Sequence, residues 1–167
     1  PRENIQTWID NGVHIERISI NRDGFIDLVD LETKLKKYPA SNNKLVGLFP
    51  GVSRLTGILS DDVASTILLH QYNALSIWDC SAFASSAPLN VNPALSGSAK
   101  DALFFDCNKM IGGLQSSGVL IIKKALGSLH VHKNEIVNKV SVIRCGLVAQ
   151  LKETLASHIM TRNEKIC

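Results

Sequence analysis

Blocks of different hydrophobic period follow one another along this chain. Val13-His14-Ile15-Glu16-Arg17-Ile18-Ser19-Ile20 alternates every second residue, which predicts a strand with one buried face. Asn21-Arg22-Asp23-Gly24 then supplies turn residues. From Asp27 to Tyr38 the period lengthens: Leu28, Leu31 and Leu35 share one helical face, and Pro39 stops the helix. Lys44 to Phe49 reads as a short buried strand, followed by a Gly- and Ser-bearing loop from Pro50 to Gly57. Ser60 is placed to cap a helix reaching about Tyr72, with Asp61 and Asp62 favourable in its first turn. Leu75 to Trp78, Ala102 to Phe105 and Gly118 to Ile122 are near-continuous apolar runs of strand length. Residues 81–93 are small and proline-bearing, which predicts irregular structure, and a last helix is expected from about Ser141 to Ile159.

Strand, helix, strand, helix, strand is the signature of an α/β fold. The expectation is a three-layer sandwich with a mostly parallel sheet. Only a brief Gly-bearing stretch separates Phe105 from Val119, too short for a crossover helix, so that last strand is expected to run antiparallel.

Composition narrows the class without naming a function. The chain has 167 residues, 45% hydrophobic and 20% charged, enough for one domain with a real core. A net charge of +3 from scattered lysines and arginines gives no footprint for nucleic acid. No apolar run has the length of a membrane span, and no signal peptide is visible. Cys80, Cys107, Cys145 and Cys167 form no Cys-x-x-Cys pair and no secreted disulfide pattern. They read as reduced thiols in a cytoplasmic protein, with Cys80 and Cys107 as small buried fillers.

Two charged residues stand where a parallel sheet presents ligand sites. Asp79 ends the run Leu75-Ser76-Ile77-Trp78, and Lys109 follows Ala102-Leu103-Phe104-Phe105 on a tight turn before Gly112-Gly113. The Pro50–Gly57 loop falls at the same edge, outside the carboxyl ends of the strands. A lysine held between two buried strands is expected to be desolvated, which favours the free amine and Schiff-base chemistry. The plainer alternative is a solvated strand-end lysine and a capping aspartate. Neither a Walker lysine loop nor a Gly-x-Gly-x-x-Gly turn occurs, so a nucleotide-binding module has no motif to rest on.

Several segments, in order, resemble the class V aminotransferase family, which includes the cysteine desulfurases. They are Asn4 with Trp8; Val52-Ser53-Arg54-Leu55-Thr56-Gly57; His70, Ala74-Leu75 and Asp79; Lys109 with Gly112-Gly113 and Ser117-Gly118-Val119-Leu120; and Ile143-Arg144-Cys145-Gly146-Leu147 with Gln150-Leu151-Lys152. The resemblance implies part of the large domain of a fold-type I pyridoxal-phosphate enzyme over 1–127. A shortened connection over 128–141 and the start of a smaller C-terminal domain over 142–167 would follow. It implies Lys109 as the Schiff-base lysine and acid–base group, and Asp79 as partner of the pyridine nitrogen. Ser53 and Thr56 would be cofactor contacts, and Arg54 a substrate contact in place of the usual asparagine. An amino-acid substrate and a homodimer are implied for the intact family.

The pattern departs from the family around the lysine. Where a serine and a histidine normally bind phosphate, Asp106 and Asn108 stand. Ala82 replaces a glutamine, and the ring-stacking histidine would fall near Pro1 or Arg2. The Gly-rich phosphate cradle would lie upstream of Pro1. These departures make a truncated chain with weakened cofactor binding the expectation, and a non-catalytic remnant of the fold the alternative.

Overall fold

The computed structural model describes residues 13–38, 45–113 and 117–126, together with Ile9 and the backbone of 136–137 and 140–145. Among these residues the elements run α1 (Leu28–Lys37), β1 (Val46–Pro50), α2 (Asp62–Gln71), β2 (Leu75–Asp79), β3 (Ala102–Phe105), β4 (Gly118–Lys123), β5 (Ile136–Val137) and β6 (Val140–Cys145). The strands form one sheet in the order β1-β2-β3-β4-β6-β5. β1, β2 and β3 are parallel, β4 runs antiparallel to β3, and β6 antiparallel to β4. Four strands therefore share one direction, and the reversal at β4 follows from its short connection. The fold is α/β with a mixed, mostly parallel sheet.

The helices form where the sequence places the right ends. Asp27 Oδ1 accepts hydrogen bonds from the amides of Val29 (2.9 Å) and Asp30 (3.2 Å), capping α1. Two i,i+4 pairs, Asp30 with Lys34 and Glu32 with Lys36, line its outer face. Its inner face buries Leu31 and Leu35. The cap of α2 is Asp61, which accepts from Ala64 N at 2.9 Å, and not Ser60 as the sequence implied. Ser60 is committed elsewhere: its hydroxyl donates to Pro50 O at 2.7 Å, tying the loop to the end of β1.

Alternation within each strand divides the core. Phe49, Trp78 and Leu103 face α1 and α2 and pack with Leu31, Leu35 and Leu69. Trp78 carries its polar handle into this layer, donating from Nε1 to Ser76 Oγ (2.8 Å) and Thr66 Oγ1 (3.2 Å). On the opposite face Ile77, Phe104, Leu120 and Ile122 are also buried. Both faces of the central strands are thus covered, as a three-layer arrangement requires. Leu48, on that second face of the edge strand β1, remains 43% exposed.

Two expectations from the sequence fail. Residues 13–19 form no strand, and Ile20 makes only an isolated bridge with Ile26. That segment spends its polar groups on α1: Ser19 N donates to Asp30 Oδ2 at 2.7 Å, and Lys34 Nζ donates to Arg17 O. Its period-two pattern suited a half-buried strand, but among the described residues no neighbouring strand pairs with it. Residues 141–145 belong to strand β6 instead of a helix, because the apolar run beside β4 can complete that strand's hydrogen bonds. Residues 146–159 of the expected helix lie outside the described residues. Pairing continuously with β4, β6 runs across the 141/142 position.

Candidate functional site

Because β1, β2 and β3 are parallel, their carboxyl ends lie along one edge of the sheet. β1 runs out at Pro50, and Gly51 N donates to Asp79 O at 2.9 Å. A Cβ on Gly51 would lie 2.5 Å from the Phe83 ring, so any larger residue would have to displace that ring where these two strand ends and the following turn meet. The next loop closes on itself through the bridge between Val52 and Leu59. Ser53 Oγ accepts from Thr56 N and Thr56 Oγ1 accepts from Ile58 N, each at 3.3 Å. Both hydroxyls proposed as cofactor contacts therefore hold the loop's own turns.

Arg54 projects from that loop to the end of β2. Its Nη2 lies 3.6 Å from Asp79 Oδ2, with the guanidinium largely exposed and the aspartate mostly covered. The other Asp79 oxygen accepts from Ser81 N at 3.0 Å. The structure thus brings Asp79 and Arg54 together and leaves the Ser53 and Thr56 side chains bonded within their own loop.

Lys109 sits beyond the end of β3 on a compact turn. Met110 N donates to Cys107 O and Gly113 N to Met110 O, both at 2.9 Å. A Cβ on Gly113 would stand 1.8 Å from Cys107 O, so the turn closes only around glycine. Lys109 is exposed, and its Nζ donates to Ala82 O at 3.4 Å, three residues past Asp79. Lysine and aspartate share one sheet edge, with the amine directed at the segment that leaves β2. The expected desolvation is absent, however. The flanking runs bury Leu103, Phe104 and Leu120, while Asn108, Lys109, Ile111 and Gly112 beyond β3 are exposed.

Two buried atoms near this edge were not foreseen. Among the described residues, Ser81 Oγ, in the turn that follows β2, and Asp106 Oδ1, just past β3, have no hydrogen-bond partner.

Cys80 is buried, and desolvation, then the adjacent Asp79 charge, pushes its thiol up to about 12. It is an inert filler, as the sequence suggested. Cys80 and Cys107 are both free thiols. Sequence reasoning also missed Lys100, only 3% exposed, which pairs with Asp62 Oδ2 at 2.7 Å and donates to Asn90 O at 2.6 Å. It straps the 80–100 segment to the start of α2. Among the described residues no His, Cys, Asp and Glu side chains gather as a metal site, and no helix is long and apolar enough to cross a membrane. An apolar groove of about 400 Å³ between α1 and α2, lined by residues such as Leu28, Ala64 and Leu68, lies away from this edge.

The model of one protein family, aminotransferase class-V, matches residues 5–145. Among solved structures, the X-ray structure of a NifS-like protein from Rickettsia africae ESF-5 is similar, with a TM-score of 0.62 at 23% identity. The likeness covers 95% of this chain and 42% of that one, and at this identity it concerns the fold. No curated protein gives a significant match.

Proposed function

The chain belongs to the class V aminotransferase family, and from that premise we propose that it carries the lysine–aspartate pair of a pyridoxal-phosphate-dependent transferase or lyase acting on an amino acid. The observation that carries this reading is the shared edge: Asp79 ends β2, Lys109 follows β3, and Lys109 Nζ reaches Ala82 O at 3.4 Å. The family's cofactor, when bound, supplies an electron sink for carbanion chemistry at a substrate's alpha carbon. The described residues fit one end of it. Lys109 offers an exposed primary amine for an aldehyde, and Asp79 offers a carboxylate for a ring nitrogen's proton. Lys109 would also hold and move a proton beside the substrate, since an amine on a short turn can swing between partners. Arg54, largely exposed and only loosely paired with Asp79, would receive the substrate carboxylate in a bidentate fork. Ser53 and Thr56 would act by shaping the loop that delivers Arg54.

The other end of the cofactor fits poorly. Asp106, three residues before Lys109, presents a buried oxygen that no donor among the described residues satisfies. An acceptor in that position cannot hold a phosphate. That observation favours the second reading, a remnant of the fold that acts by binding without catalysis. Homodimerisation and a cytoplasmic location, to which free Cys80 and Cys107 are suited, complete the proposal.

The deciding experiment is an absorption spectrum of the full chain with near-stoichiometric pyridoxal phosphate, followed by borohydride reduction and peptide mapping. Selective labelling of Lys109 that falls in Asp79→Ala supports the enzyme reading. Labelling spread evenly over surface lysines, and indifferent to Asp79→Ala, refutes it in favour of the remnant.

A further inference from the structure

The candidate site is assembled from three chain segments, and one apolar contact sits where two of them meet. The end of β1 is tied to the end of β2 by the bond from Gly51 N to Asp79 O, 2.9 Å long. Arg54 stands three residues past Gly51 and approaches Asp79 Oδ2. The Phe83 ring lies against Gly51, where a Cβ would come 2.5 Å from Phe83 Cε1 and 2.9 Å from Cζ. Gly51 takes no positive φ, so its missing side chain serves this close approach and not a backbone turn.

Phe83 also sits inside the turn that leaves β2. Its amide and that of Ala84 donate to Cys80 O at 3.1 and 2.9 Å, and its carbonyl accepts from Ser86 N at 2.8 Å and Ala87 N at 3.1 Å. Its half-buried side chain packs against the core cluster that contains Trp78 and Cys80. The residue before it, Ala82, supplies the carbonyl that accepts from Lys109 Nζ at 3.4 Å. A ring wedged against the end of β1 thus fixes the turn that presents this carbonyl. An exposed lysine left to itself samples many rotamers, and a reacting amine is effective only where its position is set.

We propose that Phe83 is a positioning residue of the site: seated on Gly51, it holds the Ala82 carbonyl where that carbonyl draws the Lys109 amine toward the end of β2 that carries Asp79. The inference rests on the proposed pairing of Lys109 with Asp79 and adds the residue that keeps the two in register. Phe83 acts through Ala82 O and not on the reacting atoms.

The test maps the share of label on Lys109 after the full chain is incubated with pyridoxal phosphate and reduced with borohydride. Phe83→Ala lowers that share by roughly tenfold to a hundredfold, the cost of displacing a reacting group by about 1 Å. Gly51→Ala keeps the ring but pushes it away, and lowers the share in the same direction. Phe83→Leu in the Gly51→Ala background restores most of the loss, because the shorter side chain leaves room for the added methyl. This pair decides the matter if Phe83→Ala does not fold, as checked by circular dichroism. Coupling to Asp79 separates positioning from mere support of the fold. Asp79→Ala lowers Lys109 labelling in the wild-type background and changes it little further in the Phe83→Ala background, since the amine is no longer directed there. Folded variants that label Lys109 as wild type does, or in which Asp79→Ala keeps its full effect, overturn the positioning role and leave the lysine's role standing. Wild type without selective Lys109 labelling removes that role, and the role of Phe83 falls with it.

Discussion

Strand β3 is bracketed by two aspartates, and the contrast between them separates the structural end of the sheet from the candidate functional end. Asp101, just before β3, accepts from His70 Nε2 and Ser76 N, each at 2.8 Å, and from Lys123 Nζ at 2.7 Å. It thereby ties α2, β2 and β4 to one point. Asp106, just after β3, has a buried oxygen with no donor among the described residues. Four apolar residues separate a saturated carboxylate from an unsatisfied one. Buried polar groups are nearly always partnered; among the described residues Ser65 Oγ and Ser81 Oγ also go without, but Asp106, at the carboxyl end of β3, is the one carboxylate that does. Lys109, Asp79 and Arg54 all belong to that end.

The comparison breaks most visibly at Asp101. Substituting alanine leaves Lys123 and His70 with only the Ala99 and Gly97 carbonyls and removes the acceptor for a buried amide, which should cost about 3 kcal/mol, the lower end for breaking a buried pair. Denaturant unfolding measures it, and a loss below about 1 kcal/mol would mean the network is not holding the strands. Acid titration sharpens the point. Burial pushes the Asp101 pKa upward, but hydrogen bonds from Lys123, Ser76 N and His70 outweigh it, and the net shift is downward. A carboxylate with a depressed folded pKa contributes stability that is present above its unfolded value, about 3.9. That stability is lost as pH falls through the folded value. Glu16, held down to about 2 chiefly by the Tyr38 hydroxyl and then Lys37, acts in the same window. So does Asp30, held to about 2 chiefly by Lys34 and then Ser19 N. The informative curve is therefore the difference between wild type and Asp101→Asn, which should shrink as pH drops below 4.

The other aspartate should respond in the opposite sense. Asp106→Asn replaces a half-buried carboxylate, one of whose oxygens is buried without a partner among the described residues, so stability should hold or rise by up to about 1 kcal/mol. Thermal unfolding of the two Asn variants side by side decides the matter. Equal losses would show that Asp106 has a structural partner in solution and would dissolve the contrast between the two ends.

What the sequence made legible follows the same division. The apolar run 102–105 matched β3, because four consecutive apolar residues between two acids admit few other readings. The Leu31 and Leu35 face of α1 was equally plain, since it rests on local spacing, whereas the Asp27 cap was not read. Asp79 and Lys109 could be assigned to one edge because their preceding runs are parallel strands. The Asp101 network was invisible: His70 and Lys123 lie 31 and 22 residues from it, and only the packed sheet brings them together. The exposure of Lys109 was misread for a related reason. Apolar neighbours in sequence bury strands, and a tight turn between strands can still stand clear of them. Residues 13–20 misled because alternation marks a half-buried segment without saying whether a neighbouring strand exists to receive its hydrogen bonds.

The smallest expected effect tests how much of the functional end contributes to stability at all. Arg54 is mostly exposed, and its closest approach to Asp79 is 3.6 Å, beyond a direct hydrogen bond. Exposed pairs of that kind contribute about 0–1 kcal/mol and are screened by salt. Arg54→Ala should therefore lower stability by no more than about 0.5 kcal/mol, and added salt should erase the difference. Its effect on chemistry should be the larger one, because the substitution removes the cation facing Asp79 and the proposed receiver of a substrate carboxylate. Borohydride labelling of Lys109 in Arg54→Ala should keep the wild-type pattern without amino acid. Protection of Lys109 by added amino acids should be lost. A stability loss above about 2 kcal/mol would place Arg54 with Asp101, as a residue that holds the sheet together, and would move the boundary between the two ends past β1.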